Sequence, residues 1–156
     1  MDAENTRQVF DWLWTSGQLS GQDIAGLPAL GIAAVINLTL PTSSNALPGE
    51  AELVTRLGIA YIHIPVEWER PGLHQLEQFF GTLKAFEGRN IWVHCAKNMR
   101  VSAFVYLYRK LCLADSEDDA LHPMRAVWVP NETWQAFIQK ALGSYTNSGF
   151  RRPAKT

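Results

Sequence analysis

The sequence predicts one α/β domain with a central, mainly parallel sheet of four to five strands and helices on both faces. Short apolar runs alternate with amphipathic helical patterns, and this alternation is typical of parallel sheets whose strands are joined by helices. The 156 residues are 47% hydrophobic and 19% charged, a globular composition at the length of a single domain. No linker divides the chain, so we expect one domain over residues 1–147 and a basic, flexible tail over 148–156.

A capping pattern opens the first predicted helix. Ser20 and Asp23 have the spacing of a capping box, and Gly31 stands where a C-cap glycine belongs. The nearly all-apolar run 32–38 then predicts a strand that is covered on both faces. Residues 12–19, upstream of this unit, are a candidate first strand or edge hairpin.

The same order of helix and strand recurs in the next segment. A helix is predicted over 50–57, closed by Gly58, and a strand over 61–66. Pro65 indicates that this strand ends there or lies near an edge of the sheet, because proline cannot donate a ladder hydrogen bond. His63 lies inside this strand and is expected to be a core histidine.

The second half predicts three helices and one strand. Pro71 is a suitable first helical residue, and the apolar pattern predicts that its helix continues to residue 86. A buried strand follows over 90–93, and then a helix that begins at residue 100 or 101 and ends at 113. The last helix is predicted over 132–142, with Trp128 and Trp134 packing it onto the core.

The charge and the cysteine content exclude several classes of function. The formal net charge is −1, so the chain lacks the basic field that nucleic-acid-binding domains carry. Cys95 and Cys112 are too few for a four-cysteine zinc site or a disulfide framework, which favours a reducing compartment. Neither a secretory signal nor an apolar run of roughly 18 residues is visible. We therefore expect a cytoplasmic protein with no nucleic-acid partner, membrane span, metal or cofactor.

One segment, IWVHCAKNMRVSAF at 91–104, carries the chemistry. A buried strand ends in His94 and Cys95, and Arg100 opens a helix. Between them lies a short polar loop of Ala96, Lys97, Asn98 and Met99. Ligands of parallel α/β folds bind beyond the carboxyl ends of strands. Successive backbone N–H groups in such a loop form an anion cradle, to which the helix N-terminus and Arg100 add positive charge.

The same electrostatic field would activate Cys95 as a nucleophile. A free thiol has a pKa of about 8.5, and a helix N-terminus or a nearby arginine lowers it to about 3.5–7.5. One loop therefore serves both anion binding and covalent catalysis. Cys112 lies about 18 Å along the next helix from Arg100, too far for a disulfide to Cys95, and is expected to be a packing residue.

HCAKNMRVS resembles the signature loop of the cysteine-dependent protein tyrosine and dual-specificity phosphatases, His-Cys-x5-Arg-Ser/Thr. The segments TSGQLS, LGIAAVINL and YIHIPV extend the resemblance, over roughly residues 12–113, to small phosphatase-like proteins of bacteria. It implies a phosphatase fold and hydrolysis of a phosphate monoester through a phosphocysteine on Cys95. It also implies that Arg100 and the loop N–H groups bind phosphate, that Ser102 steadies the leaving thiolate, and that His94 orients the loop.

The loop departs from the family pattern in length. Arg100 stands five positions after Cys95 rather than six, and Val101 occupies the sixth. Either the loop is shorter and Arg100 is the phosphate ligand, or Arg100 points elsewhere and the cradle is impaired. The family's loop glycines are also missing, which makes Asn98 the best candidate for a left-handed residue. Lys97 either adds positive charge to the cradle or is solvated.

The general acid that the family requires is not an aspartate in this chain. Glu67 and Glu69 flank Trp68 in the corresponding loop after the YIHIPV strand. A glutamic acid has an ordinary pKa of about 4.3, and burial against Trp68 would raise it toward a useful value. Glu67 is preferred because it is closer to the strand end, and the alternative for both residues is a solvated carboxylate.

Two other functions remain open at the level of sequence. Rhodanese-like sulfurtransferases often place arginine five positions after the cysteine, but His94, the TSGQ segment and the absence of the usual loop glycine argue against that class. A non-catalytic phosphate-binding module would also have a shortened loop and no aspartate. The sequence indicates a phosphorylated protein or small molecule as the substrate of a phosphatase and leaves the oligomeric state open.

Overall fold

The computed structural model describes residues 1–147, and the predicted basic tail at 148–156 lies outside the described residues. The strands are β1 (Arg7–Phe10), β2 (Leu13–Ser16), β3 (Ile32–Asn37), β4 (Ala60–His63) and β5 (Asn90–His94). The helices are α1 (Gly21–Ala25), α2 (Glu50–Arg56), α3 (Leu73–Ala85), α4 (Met99–Leu111), α5 (Glu117–Arg125) and α6 (Glu132–Asn147), with a short 3-10 helix at Pro28–Leu30. Within the described residues no helix has the length and apolar character needed to cross a bilayer.

The five strands form one sheet in the order β1-β2-β5-β3-β4. β1 pairs antiparallel with β2 as an edge hairpin, and the other three pairings are parallel. The predicted, mainly parallel α/β fold is therefore confirmed. β4 is the opposite edge and ends at His63, before Pro65, as proline in a strand indicates.

Hydrophobic residues are buried on both faces of the sheet. Ile91 and Val93 of β5 face one core, which α3, α4, α5 and α6 cover, whereas Trp92 faces a second core under α1 and α2. Alternate side chains of a strand point to opposite faces, so β5 contributes to both cores. The predicted covering of both faces by helices is confirmed.

The first helical unit begins as predicted and is interrupted by a proline. Asp23 N donates to Ser20 Oγ and Ser20 N donates to Asp23 Oδ2, both at 3.0 Å, which completes the capping box. Gly31 is left-handed with φ of 67°. Pro28 has no N–H and clashes with a preceding turn, so the expected single helix is divided into α1 and the 3-10 helix.

Other boundaries differ from the predictions for local reasons. α3 begins at Leu73 rather than Pro71, because Gly72 is extended (φ −119°, ψ 147°) and serves as its N-cap. α6 continues past 142 to Asn147. α5 has no counterpart in the predictions. The prediction of a core position for His63 is wrong, because it is exposed on the edge strand β4.

Candidate active site

The candidate site lies at the carboxyl ends of the four parallel strands, which end level with one another. Ser16 of β2 and Asn37 of β3 pair in register with His94 of β5, and His63 of β4 pairs with Asn37. Residues 95–98, which we call the Cys95 loop, join β5 to α4 at this edge. Ligands of parallel α/β folds bind there, so the fold places the loop as the sequence predicts.

Groups outside the Cys95 loop bind the carbonyl of Ala96 and the N–H of Cys95. Ala96 O accepts hydrogen bonds from Gln18 N and from Asn45 Nδ2, each at 3.1 Å. Cys95 N donates to Ser16 O at 3.3 Å. The first residues of the loop are thereby tied to the end of β2 and to the loop before α2.

The N-terminal segment holds the second half of the Cys95 loop. Asn5 Nδ2 donates to Lys97 O at 3.0 Å. The amide of Asn98 donates to Asn5 O at 2.8 Å and to Thr15 Oγ1 at 3.1 Å. Asn98 is left-handed with φ of 68°, which confirms the prediction made from the missing glycines. Lys97 is exposed, Met99 is half-buried as the first residue of α4, and the contribution of Asn5 was not predicted.

Both cysteines are free thiols. Cys95 is only 1% exposed at the start of the loop, and Cys112 is buried at the C-terminal end of α4. The prediction that the two are not joined by a disulfide is confirmed.

Arg100 is buried, at 7% exposure, without an acidic partner. Its Nη1 donates to Val66 O at 2.9 Å and its Nη2 donates to Thr39 Oγ1 at 3.3 Å. The guanidinium carbon lies 5.9 Å from the centre of the Trp68 ring, within cation–π range. No carboxylate of residues 1–147 forms an ion pair with Arg100. A guanidinium has five N–H donors, and these bonds use two of them.

His94 is fully buried and contacts the peptide group of Cys95. Its Nδ1 lies 3.3 Å from Cys95 O, and its Nε2 lies 2.6 Å from Glu50 Oε2. The predicted role of orienting the loop fits this position, although the carboxylate on the opposite side of the ring was not predicted.

Glu50 is the buried carboxylate of the site, at 5% exposure. It accepts hydrogen bonds from Gln18 Nε2 and from Tyr61 Oη in addition to His94. Burial by itself raises the pKa of Glu50, but the hydrogen bond and charge of His94, with the other two donors, bring that pKa below its ordinary value. One feature of the sequence could have identified Glu50 as an inward-facing residue. Glu50 precedes the core residue Val54 by four positions and therefore shares its helix face.

The two candidate general acids are exposed. Glu67 pairs with Arg70 Nε at 2.8 Å, and its side chain is 49% exposed. Glu69 is exposed as well. The expected burial against Trp68 is wrong for both, because the Trp68 ring packs on Trp128 and Trp134, with ring centres 5.2 and 5.8 Å away.

Ser102 has partners other than Cys95. Its hydroxyl donates to Met99 O at 2.8 Å and accepts from Trp128 Nε1 at 3.0 Å. It makes no hydrogen bond to Cys95 in this structure. Because Trp128 also contacts Trp68, Ser102 connects the first turn of α4 to the loop that carries the two glutamates.

Residues 2–140 match the model of a family described as the DSP-PTPase phosphatase fused to NAD+ kinase. The chain belongs to this phosphatase family. The match spans most of the chain and contains the Cys95 loop, Arg100 and both glutamates. The resemblance to cysteine-dependent tyrosine phosphatases is thereby confirmed.

Solved structures support the same placement of this phosphatase-family chain. A protein of Shewanella putrefaciens CN-32, described as a candidate phosphatase (DUF442), is 32% identical with a TM-score of 0.81, over 92% of this chain and 95% of that one. PTPMT1 in complex with PI(5)P is 12% identical with a TM-score of 0.78, over 94% and 99% of the two chains. TpbA of P. aeruginosa in complex with pTyr is 16% identical with a TM-score of 0.69, over 92% and 91%. The last two share the fold. Among curated proteins, none matches this chain.

Proposed function

We propose that this chain hydrolyses a phosphate monoester, with Cys95 as the nucleophile and Arg100 as a ligand of the phosphate oxygens. The observation that carries the proposal is the buried guanidinium of Arg100, which has no carboxylate partner among residues 1–147 and keeps three N–H donors unused. A buried charge is costly unless it is paired. A phosphate dianion would supply the missing countercharge and accept the unused donors in a planar, bidentate geometry.

The Cys95 loop supports the same interpretation. The carbonyls of Ala96 and Lys97 are engaged by donors outside the loop, and we expect the remaining N–H groups of the loop to form the anion cradle. The loop then enters α4, whose 13 residues place a positive helix end at the same point. These features favour the interpretation of the short loop in which Arg100 binds phosphate.

The reaction would proceed in two displacements at phosphorus. The Cys95 thiolate forms an S–P bond while the P–O bond to the leaving group breaks, and Glu67 or Glu69 gives a proton to the departing oxygen. Water then attacks phosphorus, the S–P bond breaks, and the same carboxylate takes the proton from water. Arg100 and the loop N–H groups hold the three equatorial oxygens in both steps.

The substrate would be a phosphorylated protein or small molecule. Two structures of the same fold were solved with phosphorylated ligands, PTPMT1 with PI(5)P and TpbA with pTyr. The reducing compartment expected from the cysteine content suits this chemistry, because a thiolate nucleophile is readily oxidised.

A non-catalytic phosphate-binding module is the second candidate. It is favoured by one observation, the exposure of both Glu67 and Glu69, since neither is held in an environment that would make it a good acid. No comparable observation favours the sulfurtransferase alternative.

Phosphate release from p-nitrophenyl phosphate between about pH 5 and 8 tests the proposal. We expect turnover by the wild type, none by Cys95→Ser, and vanadate binding by the wild type. Vanadate binding without turnover would establish the non-catalytic module, and the absence of both would overturn the proposal. Sulfur transfer from thiosulfate to cyanide that Cys95→Ser abolishes would establish the sulfurtransferase.

A further inference from the structure

A continuous set of buried polar groups lies beneath the Cys95 loop, with Glu50 at its centre. Asn37 Nδ2 donates to Tyr61 Oη at 2.9 Å, and Tyr61 Oη donates to Glu50 Oε2 at 2.8 Å. The same oxygen contacts His94 Nε2, and Glu50 Oε1 accepts from Gln18 Nε2. Glu50 therefore makes hydrogen-bond contacts with residues of β4, of β5 and of the segment after β2.

The hydrogen-bond geometry determines where the protons lie. Tyr61 Oη accepts from Asn37, so its own proton points to Glu50. Three donors converge on the two oxygens of Glu50, which is the arrangement of an ionised carboxylate. Both ring nitrogens of His94 face acceptors, the Glu50 carboxylate and the backbone carbonyl of Cys95. An imidazole that donates to both acceptors carries two N–H protons, which is its cationic form.

Among residues 1–147, His94 is the ion-pair partner of Glu50 when its ring is protonated. No lysine or arginine of residues 1–147 forms an ion pair with Glu50. Of the titratable groups that face the pair, Tyr61 comes from β4 and Cys95 follows β5, while Gln18 and Asn37 are neutral amides from the ends of β2 and β3. Glu52, on the same helix as Glu50, is exposed.

We propose that Glu50 is a positioning residue that keeps His94 as an imidazolium beside Cys95 and thereby stabilises the Cys95 thiolate. The inference deepens the proposed function, since it rests on Cys95 being the nucleophile. The imidazolium belongs to His94, the residue before Cys95, whereas the Glu50 carboxylate lies on the far side of the His94 ring. The imidazole contacts the Cys95 carbonyl and Glu50 binds the opposite ring nitrogen, so we expect the positive charge to act on Cys95 from closer than the negative charge. Without Glu50 the proton on His94 loses its partner.

Glu50→Gln removes the negative charge of the Glu50 carboxylate while retaining the shape of the side chain. Gln18 Oε1 is buried without a hydrogen-bond partner, so it can accept from the new amide, and the variant is expected to fold. Tyr61→Phe is the companion variant, because it removes one hydrogen bond to Glu50 but leaves the charge. Glu52→Gln, an exposed change two positions along α2, is the matched control.

The first measurement is the protonation of His94 by ¹⁵N NMR, and the second is the rate of Cys95 alkylation by iodoacetamide against pH. Subtraction of the rate in Cys95→Ser removes the contribution of Cys112. We expect His94 to carry two protons at neutral pH in the wild type, Glu52→Gln and Tyr61→Phe, and to be neutral in Glu50→Gln. We expect alkylation by Glu50→Gln to slow about tenfold below the pKa of the thiol, which corresponds to a rise of about one pKa unit.

A neutral His94 in the wild type, or the same alkylation profile in Glu50→Gln and Glu52→Gln, would overturn the proposal. Neither measurement uses phosphate hydrolysis. Suppose that the wild type fails to hydrolyse p-nitrophenyl phosphate while the variants still differ in His94 protonation and Cys95 alkylation. That result would contradict the phosphatase reaction and leave the proposed role of Glu50 standing.

Discussion

Arg100 differs from the other arginines of the site region in its surroundings. Arg70, in the neighbouring loop, is 82% exposed and paired with Glu67, whereas Arg100 is buried, lacks an acidic partner within residues 1–147 and is held through its planar fork by Val66 and Thr39. A lysine retains the charge but cannot make this forked set of bonds.

We therefore expect Arg100→Lys to lower kcat/KM for an aryl phosphate by about 100-fold, the cost of losing a positioned oxyanion donor. Arg70→Lys, which changes an exposed pair, should stay within about twofold of the wild type. Steady-state kinetics with p-nitrophenyl phosphate measure both. Equal losses in the two variants would show that Arg100 has no special part in phosphate binding.

Asn98 has both a left-handed backbone and a buried amide. An L-residue without a suitable side chain pays about 1–2 kcal/mol in this conformation, which glycine avoids. Asn98→Ala and Asn98→Gly both lose the bonds to Asn5 and Thr15, so their comparison isolates the backbone. We expect Asn98→Ala to have a free energy of unfolding about 1 kcal/mol below that of Asn98→Gly, measured by urea denaturation. An alanine variant as stable as the glycine variant would contradict this explanation of the loop.

The contiguous part of the site was accessible from the sequence, and the rest was not. Cys95, Asn98 and Arg100 lie within one strand-loop-helix segment, so local spacing predicted their arrangement. Glu50 and Asn5 reach the Cys95 loop only through tertiary contacts. The i to i+4 relation of Glu50 to Val54 is a local signal that this carboxylate points inward. No local pattern says toward which loop of the folded chain such a side chain turns.

At the scale of elements, the sequence predicted β3, β4 and β5, together with α1, α2, α3, α4 and α6, because their apolar patterns are regular. α5 was missed because Pro123 lies inside it. A proline inside a helix removes a backbone hydrogen bond and argues against a helix, although the acidic residues of the first turn are a helix-start signal. Its N-cap Ser116, which accepts from Asp119 N, starts the helix nevertheless.

The close approach of β2 to the Cys95 loop depends on a glycine. A Cβ at Gly17 would lie 2.7 Å from Ala96 O and 3.1 Å from Glu4 O, both backbone atoms that cannot rotate away. Gly17→Ala must therefore push the Cys95 loop from β2, and we expect a loss of about 1–3 kcal/mol in the free energy of unfolding.

Gly81→Ala is the matched control for Gly17→Ala. Gly81 lies on the exposed face of α3, and an added Cβ there meets nothing within 4 Å. Alanine is the better helix former, so this variant should gain about 0.5–1 kcal/mol. Chemical denaturation compares the two, and a Gly17→Ala variant as stable as the wild type would show that the loop and β2 separate without cost.

At the scale of the whole molecule, the order of elements was predictable but the order of strands was not. β5 inserts between β2 and β3, so the strand that leads into the Cys95 loop lies at the centre of the sheet. Neighbours of this kind are far apart in sequence, and β2, β3 and β5 have similar apolar patterns that do not specify a partner. The central position nevertheless explains the site, since it brings the ends of β2 and β3 to either side of the Cys95 loop.

Acid stability of the whole molecule depends on carboxylates that the fold holds ionised. Burial alone raises the pKa of Asp23, but hydrogen bonds from the backbone of Ser20 and Asp2 and from the Ser20 hydroxyl lower it below 3.8. A group whose folded pKa is depressed contributes stability above its unfolded pKa and loses it as the pH falls through the folded value. The contribution of Asp23 should therefore be complete at about pH 6 and decline below about pH 4.

We expect Asp23→Asn to lower the free energy of unfolding by about 1 kcal/mol at neutral pH, the usual size of a capping contribution. That deficit should shrink as the pH falls below about 4, because the wild-type carboxyl then becomes protonated as well. Ser20→Ala removes the hydroxyl that accepts from Asp23 N at 3.0 Å, a bond that does not require an ionised carboxylate, so most of its deficit should persist in acid. Urea denaturation of the three proteins at a series of pH values measures both deficits. A deficit of Asp23→Asn that stays constant from neutral to acid pH would show that the charge of Asp23 does not stabilise the fold.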